Sequence, residues 1–111
     1  MIEEKDKFYL EHILEAIENI ESFLKDKSKD DFLSDKMLQS AIIRQLEIIG
    51  EASKRISAKK KEQSPQTEWK NIAGIRDVLI HDYFGIDLES IWNTLSINIP
   101  ELKIEIGKIL Q

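Results

Sequence analysis

Arg76, His81 and Tyr83 fall within "RDVLIHDY", a short stretch of a segment that is otherwise largely apolar. A guanidinium grips phosphate oxygens with a rigid fork of donors, and an imidazole, with an unperturbed pKa of about 6.5, gives or takes a proton near neutrality. Together the two suffice for metal-free cleavage of RNA. The histidine would help the ribose 2′-hydroxyl attack the neighbouring phosphate, and the arginine would hold the crowded anionic transition state. DNA lacks that hydroxyl. Asp77 precedes His81 by four residues, one helical turn, where it can orient the imidazole. The plainer reading is a salt bridge and a satisfied polar contact on a helix flank, with Tyr83 in the core.

The element that must position these groups is a helix over roughly residues 67–83, with Ile72, Ile75, Val78 and Leu79 as its buried stripe. Gly85 supplies a stop signal, and Asp87 sits where the next helix needs its cap. At about 100° per residue, Arg76 and Tyr83 share a face, whereas His81 lies about 140° from Arg76. One ideal helix cannot aim all three inward. Convergence requires either loosening before Gly85 or a second copy bringing its own Arg76 and His81 to the same cleft, as a symmetric dimer does.

The rest of the chain supplies the scaffold. Leu10, Ile13, Ile17, Ile20 and Leu24 recur at helical spacing from Ile2 to about Lys25. "KDKSKDDF" has lost that period and reads as a solvated connection, with Ser34 or Asp31 to cap a second helix running to about Ser57. Leu38, Ile42, Ile49, Ala52 and Ile56, flanked by Met37, Ala41, Leu46 and Ile48, give that helix a stripe wide enough for more than one neighbour, so it belongs at the centre. Gly50 within it suits close helix packing. "AKKKEQSPQ" reads as a polar linker, and a further helix starts near Leu88. Pro100 leaves two options, a kinked continuation or a separate helix over 99–110. No strand-like alternation or repeat appears. The expectation is one all-α domain over 1–111, an up-and-down bundle of four or five helices.

Composition narrows the function. With 111 residues, 41% hydrophobic and 33% charged, the chain can bury one core. It has no cysteine and two histidines, so neither a disulfide frame nor a thiolate zinc site is expected, and no metal or other cofactor is. A net charge of −5 argues against broad duplex binding, so any nucleic-acid contact must be local. The absence of a long apolar run, and an acidic amphipathic start where a signal peptide would be basic and then apolar, point to a cytoplasmic protein without a membrane segment.

Other features carry two readings each. Lys59, Lys60 and Lys61, with Lys54 nearby, form the best basic patch for an RNA backbone, although a lysine run is more often a solvated loop. Arg44, Glu47, Glu51 and Arg55 read most simply as an ion-pair ladder, against a role in positioning the site across a dimer. Trp69 and Trp92 suit the core better than base stacking, and His12 reads as exposed and idle.

"GIRDVLIHDYFGID" resembles the signature of the HepT-like branch of the HEPN superfamily: arginine, a polar residue, three variable positions, histidine, one variable position, tyrosine. Arg76, Asp77, His81 and Tyr83 match it in full. The likeness extends to "LEIIGEASKRI", to Trp69 and Ile72, and to "IDLESIW" and "IPELKIEI". The first helix and the lysine linker carry no family-specific signal. The resemblance implies a HEPN-like bundle, a homodimer, and a metal-independent endoribonuclease toxin with Arg76 and His81 as its catalytic pair. It also implies a partner, a minimal nucleotidyltransferase antitoxin that adds AMP to Tyr83 and so silences the toxin. The alternative is a noncatalytic helical module that only partners such a transferase.

Overall fold

The computed structural model describes residues 3–81 and 87–111, with the backbone alone for 76–81. The long elements are α1 (Glu4–Leu24), α3 (Lys36–Lys54), α5 (Trp69–His81), and a last rod in which α6 (Leu88–Asn93) runs through a π-helical turn (Thr94–Asn98) into α7 (Ile99–Leu110). Two short helices, α2 (Lys29–Ser34) and α4 (Ala58–Lys61), occupy the connections. The described residues contain no strand, and the architecture is the all-α bundle that the apolar periods predict. Their helices include none long and apolar enough to cross a membrane.

The apolar stripes meet in one core. Leu10, Ile13, Ile17 and Ile20 of α1 are buried with Ile42, Leu46 and Ile49 of α3, and with Leu102 and Ile106 of α7. The wide stripe of α3 does what its width implies, since this helix packs on both α1 and α5. Gly50 is among its buried residues.

Three connections differ from the sequence reading, each for a local reason. The "KDKSKDDF" stretch folds as α2. Ser28 and Asp31 form a reciprocal capping box, Ser28 N–H to Asp31 Oδ2 at 2.8 Å and Asp31 N–H to Ser28 Oγ at 3.1 Å. Phe32, fully buried against Trp92, fixes that turn to the bundle. Ser28 therefore caps α2, with Asp31 inside its first turn, and Asp35 rather than Ser34 or Asp31 caps α3, accepting from Leu38 N–H at 3.1 Å. The second connection ends α3 earlier, at Lys54, and Ser57 caps the one-turn α4 inside the expected linker, accepting from Lys60 N–H. The third is Pro100: α7 spans Ile99–Leu110, the bounds of the separate-helix option, but a π turn rather than a break joins it to α6. The π turn immediately before it closes with Ile99 N–H bonded to Thr94 C=O, so the helix widens where the proline ring and its missing N–H would conflict with a regular ladder.

The corner between α1 and α4 is clasped by a buried carboxylate. Asp6, 2% exposed, accepts from Ser57 N–H at 2.8 Å and from Ser57 Oγ at 2.7 Å. Burial pushes its pKa up, but the two Ser57 hydrogen bonds, with Lys5 and Lys60, outweigh that and hold it below the ordinary 3.8. Because the folded-state value is depressed, the clasp is fully present above about pH 4 and is lost as pH falls through the lower folded value. Asp6→Asn should cost about 2 kcal/mol near neutrality. In urea titrations the gap from the parent should narrow below pH 4. A gap of constant size from pH 7 to pH 3 would show that the carboxylate's charge is not what holds the corner.

Candidate functional site

Helix α5 begins at Trp69 because the preceding turn is pinned. The Trp69 indole N–H donates to the Ser64 carbonyl at 3.2 Å, and Glu68 offers its carbonyl to Ile72 N–H at 3.1 Å while its side chain receives the Asn71 amide at 2.9 Å. Trp69 is thereby a core residue, 8% exposed, and no base-stacking surface. Trp92 is half-buried with its ring against Phe32.

The backbone of α5 stays α-helical through Arg76, Asp77 and His81. Positions 76 and 81 are therefore about 140° apart around the axis and about 7.5 Å apart along it. Asp77 and His81 are one turn apart on the same side. Loosening ahead of position 81 is not what this backbone does. Tyr83 and Gly85, with the stop expected there, lie outside the described residues. The cap expected at Asp87 is present. It accepts from Glu89 N–H, Ser90 N–H and Ser90 Oγ, and the Ser90 hydroxyl and amide hold its carboxyl below the usual carboxylate range.

On α3, which α5 packs against, Arg44 pairs with Glu47 at 3.4 Å and Arg55 with Glu51 at 3.3 Å, as in the ion-pair reading. The lysine patch is smaller than the sequence suggests. Lys54 and Lys59 are exposed and Lys61 half-buried, but Lys60 is only 8% exposed and lends its charge to Asp6. The patch also sits toward the Trp69 end of α5, since Ser64, three residues past Lys61, holds the indole. His81 is twelve residues further on, about 18 Å along the helix. A strand bound at position 81 would reach those lysines only by running the length of α5. His12 is exposed, with its ring 4.2 Å from that of Phe8.

The sequence reading missed a cleft. While α5 packs on α3 and α7 on α1, the space between α5 and α7 opens to a volume of about 760 Å³. One wall carries Glu68, Asn71, Ile72 and Ile75, and the other carries Ile97, Glu101, Ile104 and Glu105. One end is closed by Glu105, which accepts from the buried Ser64 hydroxyl at 2.9 Å and from Gln66, and pairs with Lys108 at 3.2 Å. The Ser64 hydroxyl, then Lys108, hold its carboxyl below the usual range. The available signal was Ile97 and Ile104, seven residues apart on one stripe, but apolar spacing alone does not tell a core stripe from an exposed one.

A family model described as "Ribonuclease HepT-like" matches residues 13–109, a span that includes Arg76, Asp77, His81 and Tyr83. The chain is 50% identical over 103 residues to "Probable ribonuclease HepT" of Thermococcus cleftensis, covering 93% of this chain and 94% of that one. It is 46% identical over 103 residues to "Putative RNase TTE0752" of Caldanaerobacter subterraneus subsp. tengcongensis, covering 93% and 92%. It is also 50% identical over 105 residues to "Gamma-glutamylcyclotransferase and putative RNase MJ0434" of Methanocaldococcus jannaschii, covering 95% of this chain but only 47% of that longer protein. No solved structure matches the chain.

Proposed function

From the premise that this chain belongs to the HepT-like ribonuclease family, we propose that it is a metal-independent endoribonuclease, the toxin of a toxin–antitoxin pair in the cytoplasm. The observation that carries this reading is the complete Arg76, Asp77, His81 and Tyr83 motif inside the matched span. His81 takes the proton from a ribose 2′-hydroxyl, whose oxygen attacks the adjacent phosphorus. Arg76 stabilises the charge that builds on the phosphate oxygens. The bond to the 5′-oxygen breaks, that oxygen is protonated by imidazolium or water, and the products carry a 2′,3′-cyclic phosphate and a 5′-hydroxyl. Asp77, one turn before His81, orients the imidazole. The helical separation of positions 76 and 81 supports a homodimer in which each site draws on both copies. The partner is a minimal nucleotidyltransferase that adds AMP to Tyr83.

The test is cleavage of a single-stranded RNA by purified protein expressed without its partner, with and without EDTA. Cleavage should persist in EDTA and leave cyclic phosphate ends, and a 2′-deoxy substitution at the scissile ribose should block it. Loss of cleavage with the chelator would sink the metal-free mechanism. No cleavage by protein shown by mass to be unmodified would favour the noncatalytic module.

A further inference from the structure

The cleft between α5 and α7 has the form of a helix-binding groove. Asn71, Ile72 and Ile75 line one wall from α5, with Glu68 just before its first turn, and Ile97 of the π turn, Glu101 and Ile104 line the other, so helical elements form both sides. Ile97 and Ile104 are 57% and 59% exposed, and Ile72 and Ile75 on the other wall are half-buried. Both walls are helices, with no strand edge to which an extended peptide could add. The charge is one-sided. Glu68, Glu101 and Glu105 line the cleft, and no lysine or arginine does so among the described residues. Glu105 is neutralised by Lys108, whereas Glu68 and Glu101 have no ion-pair partner among the described residues.

We propose that this groove docks a basic amphipathic helix of another protein, apolar along one stripe and flanked by lysine or arginine. Ile72, Ile75, Ile97 and Ile104 receive the apolar stripe, and Glu68 and Glu101 pair with the flanking cations. Carboxylates on both walls repel an RNA backbone, so the groove favours a cationic partner over RNA. A second copy docking by the same face would set these acidic walls against each other. The inference stands independently of the ribonuclease reading, because it uses none of Arg76, His81 or Tyr83.

The experiment uses the full chain and a fluorescent synthetic helix of about 15 to 18 residues, long enough to be helical, with leucines on one stripe and lysines beside it. A matched peptide carries glutamates in place of the lysines. Fluorescence anisotropy should show the lysine peptide binding at least about tenfold tighter, equivalent to 1.4 kcal/mol. Glu68→Lys with Glu101→Lys should reverse the preference, and Ile97→Asp with Ile104→Asp should abolish binding of both peptides while circular dichroism stays helical. Equal binding of the two peptides, unchanged binding to the isoleucine variant, or displacement of the lysine peptide by an oligoribonucleotide would each overturn the proposal. So would light scattering in which the isoleucine variant converts a dimer to a monomer, because the groove would then be covered by a second copy.

Discussion

Arg76→Ala and His81→Ala are each expected to lower RNA cleavage by about 10²- to 10⁴-fold, the range for losing a general acid–base group or a charge-stabilising donor. Neither should alter the helical circular dichroism, because the core is built from other residues, the stripes of α1, α3 and α7 among them. Single-turnover rates with RNA in excess of its binding constant separate chemistry from affinity. A pure rise in KM for Arg76→Ala would reduce the arginine to a binding group. Mixing the two variant proteins adds a sharper readout. If each site takes Arg76 from one copy and His81 from the other, a mixed dimer holds one site with both residues intact and one with neither, so activity returns to about half per mixed dimer. No recovery, with mixed dimers verified by native mass spectrometry, would place both residues of a site on the same chain. Activity of either variant equal to the parent would remove that residue from the mechanism.

The outcome depends on geometry that the sequence shows only in part. The long helices were legible because their apolar residues repeat at helical spacing, and the motif's place on α5 followed from the same periodicity. The short helices were not. Helix α2 rests on the Ser28 and Asp31 capping box and on one buried ring, Phe32, signals too local to stand out from a charged stretch without apolar repeat. Helix α4 rests on Ser57, which serves at once as N-cap and as partner of Asp6, 51 residues away. A single chain read in order cannot display that pairing. The burial of Lys60 follows from the same corner. The open side of the bundle was hidden for a related reason: periodicity shows that Ile97 and Ile104 share a stripe, but only the placement of α5 shows that nothing described covers them. At Pro100 the spacing locates a helix starting at Ile99, but the π turn that joins it to α6, one residue wider ahead of the ring, has no sequence signal.

Tyr83 should be the point of control. A phenol with an ordinary pKa of about 10 is a poor base near neutrality, but it accepts an adenylyl group once a partner enzyme activates it. Coexpression with the cognate nucleotidyltransferase should therefore add one or more AMP units, each seen as a discrete mass increase that maps to Tyr83, and should suppress cleavage to background. Tyr83 follows Arg76 by seven residues in the sequence, so an attached nucleotide would bring bulk and negative charge to a motif that must receive a substrate phosphate. Two effects then act together, steric exclusion and repulsion of the incoming backbone. Tyr83→Phe retains the ring and deletes the acceptor oxygen, so this variant should keep measurable RNA cleavage and gain no mass. It should also remain toxic to cells in which the active transferase silences the parent. A transferase disabled in its own chemistry separates the remaining possibility. If that inactive partner inhibits the parent as fully as the active one does, and inhibits the phenylalanine variant equally, silencing is by occlusion and the tyrosine is not its target. If inhibition requires both the phenol and an active transferase, the modification itself is the switch.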